Sequence, residues 1–260
     1  MRLLPLPAFD DNYVWTLLDD AGHALVIDPG DAAPVLRLAD DGIVPVAVLI
    51  THHDPDHIDG LPALRTRWPD LPVYAPDDDR IVHASRRVRD GDRIDIAAFG
   101  AFFEVFAVPG HTRTHIAWYG RVGGDGLLFC GDTLFSLGCG RLFEGTPAQM
   151  LASLDRLAAL PDDTRVCCTH EYTLSNAAFA TVVDPDNPAL QARAREAREQ
   201  RARAAPTLPA SLASERASNP FLRCDTAAVR DAIARRLGRA PHDRLETFTE
   251  LRRWKDGFRG

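Results

Sequence analysis

Histidine and carboxylate side chains are concentrated in one short loop, which begins Thr51-His-His-Asp-Pro-Asp-His. Three of the nine histidines and three carboxylates fall within residues 52–59. Neutral imidazole and carboxylate oxygen are ligands for zinc and neighbouring transition metals. The apolar run Val46–Ile50 precedes the loop and is typical of a buried strand. A solvated acidic loop gives no reason for this concentration of imidazoles, so the loop predicts metal binding.

The pattern of a strand followed by a metal-binding residue type recurs later in the chain. Further strands are predicted to end shortly before His111, Asp132 and His170. Strand ends at one edge of a sheet can converge on a shared site. A single histidine in such a place is more often an ordinary hydrogen-bonded side chain. Four strand ends with the same property instead predict one metal site.

Composition limits the remaining possibilities. The chain has 260 residues, of which 45% are hydrophobic, and it has no long uncharged apolar run, so we expect a soluble protein with a core and no membrane partner. A net charge of −7 disfavours nucleic acid as a partner. The N-terminal apolar stretch is too short for a signal peptide. Five cysteines without Cys-x-x-Cys spacing predict reduced thiols and a cytoplasmic location.

The predicted secondary structure changes character near residue 172. Before it, strands and helices alternate; after it, only helices are predicted, so we expect a domain over 1–172 and a helical domain over 173–260. The Arg193–Arg203 run is expected to be a solvated basic helix face. Strands are predicted over residues 3–6, 14–18, 24–27, 46–50, 73–75, 102–108, 115–119, 127–130 and 165–168. Helices are predicted over residues 32–41, 60–67, 146–160, 190–203, 226–237 and 243–255.

Several motifs together resemble a known family. The spacing Thr51-His-x-x-x-Asp-His with His111, Asp132 and His170 is similar to the metallo-β-lactamase superfamily. Within it, the chain resembles the glyoxalase II, or hydroxyacylglutathione hydrolase, family over nearly its whole length. The matching stretches are Asp11–Trp15, Pro109–Thr112, Gly131–Phe135, Gly138–Thr146, His170–Thr173, Asn219–Arg223 and Arg252–Phe258.

The resemblance implies an α/β fold, the αβ/βα sandwich, with an appended C-terminal all-α region. It also implies two divalent metal ions that share a bridging hydroxide, with Asp56 and Asp132 in catalytic roles. One metal would be bound by His52, Asp54, His111 and Asp132, and the other by Asp56, His57, His170 and Asp132.

Asp54 departs from the family pattern, which has histidine at this position. A carboxylate is a harder ligand than imidazole, so Asp54 favours iron or manganese relative to the zinc that the histidines suggest. Two alternatives stay open: His53 could complete the site in place of Asp54, or the first metal could bind weakly or not at all. Thr114, where the family usually has glycine, and Phe143, where it often has tyrosine, are lesser departures.

The activity implied by the resemblance is hydrolysis of the thioester of S-(2-hydroxyacyl)glutathione, such as S-D-lactoylglutathione, in methylglyoxal detoxification. A thiolate with a pKa of about 8.5 leaves without a strong general acid, which suits this chemistry. We expect a monomer. The implied substrate-binding residues are Arg141, Phe143, Tyr172, Arg252 and Lys255.

Two other functions are compatible with parts of the sequence. One is oxidative mononuclear-iron chemistry, as in a persulfide dioxygenase of the same superfamily, if Asp54 signals the loss of one metal. The other is a non-catalytic binder of glutathione conjugates. The basic residues near the C-terminus could equally be a solvated helix end, where the helix dipole favours cations. The hydrolase motifs around Asp132 and in the tail favour the thioester hydrolase.

Overall fold

The computed structural model describes residues 1–259, which divide into two compact units. The first unit contains residues 1–108, 114–131 and 167–170. The second contains residues 109–113, 132–166 and those from 171 onward. The predicted domain boundary between residues 172 and 173 stays a prediction. Within residues 1–259, no helix is both long and apolar enough to cross a membrane.

The first unit is built on two β-sheets. Its ten complete strands are β1 (Arg2–Ala8), β2 (Asn12–Leu18), β3 (His23–Ile27), β4 (Val44–Leu49), β5 (Val73–Pro76), β6 (Arg86–Val88), β7 (Arg93–Ile96), β8 (Ala101–Ala107), β9 (Ile116–Val122) and β10 (Asp125–Gly131). The first sheet has the order β1-β2-β3-β4-β5-β6, antiparallel at its start and parallel from β3 onward. The strands β7 to β10 form an antiparallel meander.

The first sheet carries its apolar core against helices. The helices of this unit are α1 (Ala33–Asp40), α2 (Pro55–Ile58) and α3 (Leu61–Arg67). Val35 of α1 and Leu64 of α3 pack in one cluster with Val26 and Val48 of the sheet. Because β3, β4 and β5 run parallel, the loops after β3 and β4 leave the sheet at the same edge. That edge is where the histidine-rich loop lies.

The meander contains a hairpin between β9 and β10, with its turn at Gly123 and Gly124. Gly123 and Gly124 have φ values of +60° and +97°, which residues with a side chain adopt only at a cost. Asp125 pairs with Val122 across this turn. The hairpin ends at Gly131, immediately before Asp132.

The second unit is mainly helical. Its strands are the short hairpin β11 (Leu134–Phe135) and β12 (Gly138–Cys139), part of β13 (Arg165–Cys168), whose last two residues belong to the first unit, and β14 (Ala210–Ser211). Its helices are α4 (Pro147–Ala158), α5 (Thr173–Val183), α6 (Pro188–Ala202), α7 (Leu212–Ser218), α8 (Ala227–Leu237) and α9 (Arg244–Asp256).

Capping signals explain where several of these helices begin. Thr146 and Gln149 form a reciprocal capping box at the start of α4. Asn187 accepts hydrogen bonds from the first turn of α6, and Asp243 does so for α9. Gly238, with φ of +71°, ends α8. The sequence missed α5 and α7. Ala177 and Ala180 of α5 pack with Leu190 and Ala194 of α6, so the tertiary fold rather than a clear helical period determines what α5 buries.

The prediction of a solvated face over Arg193–Arg203 is wrong at its first residue, whereas Arg195, Arg198, Arg201 and Arg203 are exposed. Arg193 is only 6% exposed, although the Arg193–Arg203 run was expected to be a solvated face. Its guanidinium donates to Thr207 O at 2.6 Å and lies 3.3 Å from Ser136 Oγ. Both of its terminal nitrogens have partners, and two of these, Ser136 and Thr207, are distant in sequence, so composition does not reveal them.

A buried carboxylate holds the β11–β12 hairpin in place. Glu215 is fully buried, and its oxygens accept from Ser136 Oγ and Leu137 N, each at 2.8 Å. Burial raises the pKa of Glu215. Leu137 has φ of +60°, an unfavourable conformation for a branched side chain. The bond from its amide to Glu215 stabilises this turn, which directly follows the loop that carries Asp132.

Candidate metal centre

Three predicted ligands of the second metal lie together in the first unit. The potential ligand atoms of Asp56, His57 and His170 are all within 4.8 Å of one another. His57 is fully buried and His170 is 5% exposed. His57 and Asp56 come from α2, directly after the sheet edge, whereas His170 follows β13. The cluster therefore joins residues more than 100 positions apart in the sequence.

Each histidine of this cluster is oriented by a carboxylate behind it. His170 Nδ1 lies 2.7 Å from Asp11 Oδ1, and His57 Nδ1 lies 3.1 Å from Asp28 Oδ2. Because a carboxylate only accepts, Nδ1 carries the proton and Nε2 is left as a ligand atom. The two Nε2 atoms lie 3.4 Å and 3.6 Å from Asp56 Oδ2. This separation is too long for a good hydrogen bond and suits ligands around a common cation.

Backbone and amide groups fix Asp56 itself. Asn12 Nδ2 donates to Asp56 Oδ2 at 2.9 Å. Gly30 makes a close approach on the other side, since a Cβ atom there would lie 1.8 Å from Asp56 O. A glycine is therefore required at position 30 for α2 to occupy its place.

His52 and Asp54 form a second pair in the same unit. His52 is fully buried, and its ring stacks on His115 with centroids 4.5 Å apart and planes at 19°. His52 Nδ1 lies 3.0 Å from Thr51 Oγ1, and His52 Nε2 lies 3.5 Å from Asp54 Oδ2. The structure thus brings Asp54 Oδ2 beside His52 Nε2, and the role of Asp54 as a metal ligand stays a prediction.

Asp28 connects the two groups of histidines. Its Oδ2 accepts from Thr51 Oγ1 at 2.7 Å and faces His57 Nδ1, while its Oδ1 accepts from Thr51 N at 2.7 Å. Thr51 Oγ1 in turn accepts from His52 Nδ1. One buried carboxylate, 2% exposed, therefore orients His57 directly and His52 through Thr51.

We expect Asp28→Asn to lower the affinity of the protein for its metals. An amide has the same shape as the carboxylate, but its nitrogen is a donor. Only its single oxygen can therefore accept hydrogen bonds from Thr51 and His57. Partners of this kind change metal affinity by about 10–100-fold. Competition with a chelator would measure the change, with Asp40→Asn at the exposed end of α1 as the matched control. Unchanged metal affinity in a folded Asp28→Asn protein would contradict this role.

His111 and Asp132 form a corresponding pair in the second unit. His111 Nδ1 donates to Arg141 O at 2.9 Å, and His111 Nε2 lies 3.5 Å from Asp132 Oδ2. Glycine is needed at position 140, because a Cβ atom there would lie 1.9 Å from Asp132 O. The segment after β12 therefore encloses His111 and keeps it beside Asp132.

The predicted substrate-binding residues lie in the second unit. Phe143 is 66% exposed, and its ring centroid is 5.0 Å from that of His111. Tyr172 is 37% exposed and packs edge-on against Phe135. The Arg141 side chain is 66% exposed, and its Nε lies 3.9 Å from Asp256 Oδ1. These three side chains are accessible to a ligand.

Two basic residues of α9 have different surroundings. Lys255 is half-buried, and its Nζ donates to Ser175 O at 3.1 Å. Burial, followed by the nearby cations Arg252 and Arg141, lowers the pKa of Lys255 to about 8. Arg252 is 4% exposed and donates to Cys139 O at 2.7 Å and to Asp256 Oδ1 at 3.1 Å. The bond to Cys139 connects α9 to β12.

Sequence reasoning assigned no role to three residues that orient the site, namely Asp11, Asn12 and Asp28. Asp28 did carry a usable signal, because it follows an apolar strand just as Asp132 does. Asp11 and Asn12 belong to the Asp11–Trp15 motif, but the motif does not indicate what they contact. Their partners are 159 and 44 residues away in the sequence, so local pattern could not reveal them.

The residues present fit transition-metal ions. Each of the four histidines has Nδ1 held by an oxygen and Nε2 directed to a carboxylate 3.4–3.6 Å away. Imidazole nitrogen and carboxylate oxygen suit zinc, iron and manganese. All five cysteines are free and buried away from this donor set, which therefore contains no thiolate.

Two family models match successive parts of the chain. The metallo-beta-lactamase superfamily matches residues 9–170, and the C-terminal region of hydroxyacylglutathione hydrolase matches residues 171–258.

Individual proteins show the same similarity. The hydroxyacylglutathione hydrolase of Xylella fastidiosa (strain M12) is 55% identical over 258 residues, covering 99% of this chain and 98% of that protein. The crystal structure of ETHE1 from Myxococcus xanthus is similar with a TM-score of 0.62 and 25% identity, covering 96% of this chain and 97% of that one. The structure of TTHA1623 in a di-iron-bound form is similar with a TM-score of 0.52 and 30% identity, covering 65% of this chain and 92% of that one. The predicted α/β sandwich fold with a C-terminal helical region is confirmed.

Proposed function

The chain belongs to the hydroxyacylglutathione hydrolases of the metallo-beta-lactamase superfamily, and we propose how its own residues carry out the reaction. It is a metal-dependent thioester hydrolase that acts on S-(2-hydroxyacyl)glutathione and releases glutathione and a 2-hydroxy acid. The function predicted from the sequence is therefore confirmed.

We assign the metal ligands in two sets that share Asp132. His52, Asp54, His111 and Asp132 hold one divalent cation, and Asp56, His57, His170 and Asp132 hold the other. When bound, two such cations supply hydroxide from water near neutral pH and polarise the thioester carbonyl. The observation that carries this proposal is the common orientation of the four histidines, each with Nε2 facing a carboxylate. Zinc suits the imidazoles, whereas iron or manganese is favoured by Asp54.

The protein contributes orientation and charge to the reaction. Asp56, fixed by Asn12, orients the attacking water by accepting one of its hydrogen bonds. The leaving thiolate needs no strong general acid, because a thiol pKa of about 8.5 already makes it a good leaving group. We propose that Phe143, which is exposed beside His111, contacts the thioester.

Recognition of glutathione requires cations on an acidic protein. Its carboxylates are matched by Arg141 and Lys255, and Tyr172 adds a hydroxyl donor. Arg252 contributes positive charge from a buried position and holds Cys139, two residues before Arg141. These residues form a single basic region in a chain whose net charge is −7.

Removing Lys255 is expected to weaken substrate binding rather than turnover. Lys255→Gln should raise KM for S-D-lactoylglutathione about tenfold with little change in kcat, since a charge-assisted hydrogen bond contributes about 1.5–3 kcal/mol. Steady-state kinetics would measure this. Arg253→Gln on the same helix is the matched control, because Arg253 is 70% exposed and pairs with Glu250. An equal effect on a small thioester without glutathione would contradict the assignment.

We expect substrate binding to depend on pH through Lys255. The pKa of Lys255 is lowered to about 8, so the ammonium form is present below pH 8 and is lost above it. The attraction of Lys255 for a substrate carboxylate is therefore also lost as the pH rises above 8. KM of the unmodified protein should therefore rise as pH increases through 8, and this rise should be absent in Lys255→Gln.

The experiment that tests the proposed centre is hydrolysis of S-D-lactoylglutathione by metal-free and reconstituted protein. Removal of metal with a chelator should abolish thioester cleavage, and addition of zinc, iron or manganese should restore it. Elemental analysis should then give two metals per chain. Full activity with one metal per chain would refute the two-metal assignment.

Location and assembly stay proposals. We propose that the protein acts in the cytoplasm, which is supported by the five free, buried cysteines. We further propose that it is a monomer and that its ligand is a small molecule rather than nucleic acid or membrane.

A further inference from the structure

His53 lies between two carboxylates of the first unit. Its Nε2 is 3.4 Å from Asp54 Oδ1, and its Nδ1 is 3.6 Å from Asp78 Oδ2. The His53 side chain is 15% exposed and that of Asp78 is 5% exposed, so both are largely shielded from water. Each ring nitrogen of His53 faces one carboxylate oxygen, at a distance longer than a good hydrogen bond, so His53 stands between two acidic side chains.

Asp78 is firmly anchored. Arg80 donates to it through Nε at 2.8 Å and through a terminal nitrogen at 2.7 Å, and Thr114 Oγ1 donates at 2.5 Å. These bonds, with those from Arg80 the largest cause, hold the pKa of Asp78 well below its usual range. Arg87 also donates to the backbone carbonyl of Asp78 at 2.7 Å. Asp78 is thus a fixed negative group behind His53.

The Asp54 side chain does not cap α2, the helix that it precedes. It occupies the N-cap position of α2, but its side chain makes no capping hydrogen bond. An N-cap aspartate ordinarily stabilises a helix by about 1 kcal/mol. Instead, Oδ1 faces His53 and Oδ2 lies 3.5 Å from His52 Nε2. The carboxylate is therefore held in an orientation that local helix chemistry does not favour.

We propose that His53 is a positioning residue that, anchored by Asp78, holds the Asp54 carboxylate with Oδ2 directed to the metal that His52 binds. This inference deepens the proposed function, since it rests on the metal centre assigned there. His53 does not itself bind the metal. Its imidazole spans the gap between Asp54 and the Asp78–Arg80–Thr114 anchor, so a change in the anchor is transmitted to the metal through His53.

The test measures metal binding without substrate. Apo-protein is titrated with Zn²⁺ and separately with Mn²⁺ against a competing chelator, and bound metal is counted by elemental analysis. His53→Ala should weaken one of the two metals by about 10–100-fold and leave the other unchanged, as expected for loss of an orienting partner. His83→Ala, a histidine on a nearby loop outside this network, is the matched control. Circular dichroism of the apo-proteins checks that each variant folds.

A double-mutant cycle separates positioning from general stability. In an Asp54→Ala background, His53→Ala should cause no further loss of metal affinity, because its effect acts through Asp54. Asp78→Asn should weaken the same metal and should likewise have no further effect without Asp54, which keeps the test usable if His53→Ala does not fold. Additive losses, or full retention of both metals in His53→Ala, would overturn the proposal. Failure of the proposed hydrolysis would appear in the unmodified protein's activity and not in these titrations.

Discussion

Asp132→Ala is expected to abolish thioester hydrolysis while leaving the fold largely intact. Asp132 is the one ligand shared by both metals in our assignment, and its Oδ2 lies 3.5 Å from His111 Nε2. Even orienting partners of metal ligands change activity by about 10–100-fold, so loss of a shared ligand should lower kcat/KM by more than about 1000-fold. Steady-state kinetics and elemental analysis of the same preparation would measure both consequences.

The control for Asp132→Ala is Asp186→Ala, which removes an exposed carboxylate in the same unit and should change neither activity nor metal content. Asp132 is itself 7% exposed, so its replacement leaves a small buried gap. The melting temperature of the metal-free variant would show whether that gap disturbs the fold. Near-normal turnover with normal metal content would refute the binuclear assignment.

The predicted ligands could be read from the sequence because their signal is local. Each follows a run of apolar, strand-forming residues, and the residue types themselves identify the chemistry. The strand Val44–Leu49 and the loop from Thr51 to His57 illustrate this, since the strand delivers the loop to the sheet edge. The requirement for glycine at position 140 could not be predicted in this way. A side chain there would clash with Asp132 O, and the two residues come close only in the folded protein.

The groups that orient the ligands could not be predicted in the same way. Asp11 reaches His170, and Asp28 reaches His57 across 29 residues, so the pairing exists only after the sheet has formed. The same holds for Arg193, which composition places on a solvated face and the structure buries against Thr207. A charged residue is buried when a distant partner satisfies it, and sequence pattern does not encode the partner.

Changing Asp54 is also expected to have a large effect on metal binding and activity, because this carboxylate replaces an imidazole in the ligand set of the first metal. The structure places Asp54 Oδ2 3.5 Å from His52 Nε2, and it places both nitrogens of His53 against carboxylates. Of the alternatives open from the sequence, we propose Asp54 as the ligand, because its Oδ2 lies beside His52 Nε2, and His53 as its neighbour. We therefore expect Asp54→Ala to lose most of one metal per chain and most of the hydrolytic activity.

Asp54→His tests the chemistry of the ligand rather than its presence. Exchanging a carboxylate for neutral imidazole removes one negative charge from the site, so the bound cation polarises the attacking water more strongly and lowers its pKa. The limb of the pH–rate profile on which activity rises with pH should move to lower pH by about one unit, equivalent to about 1.4 kcal/mol. Imidazole is also the softer ligand, so occupancy by zinc should increase relative to iron and manganese. If metal content and this limb were unchanged in both Asp54→His and Asp54→Ala, Asp54 would not be a ligand. In that case its position beside His52 would serve only the packing of the loop.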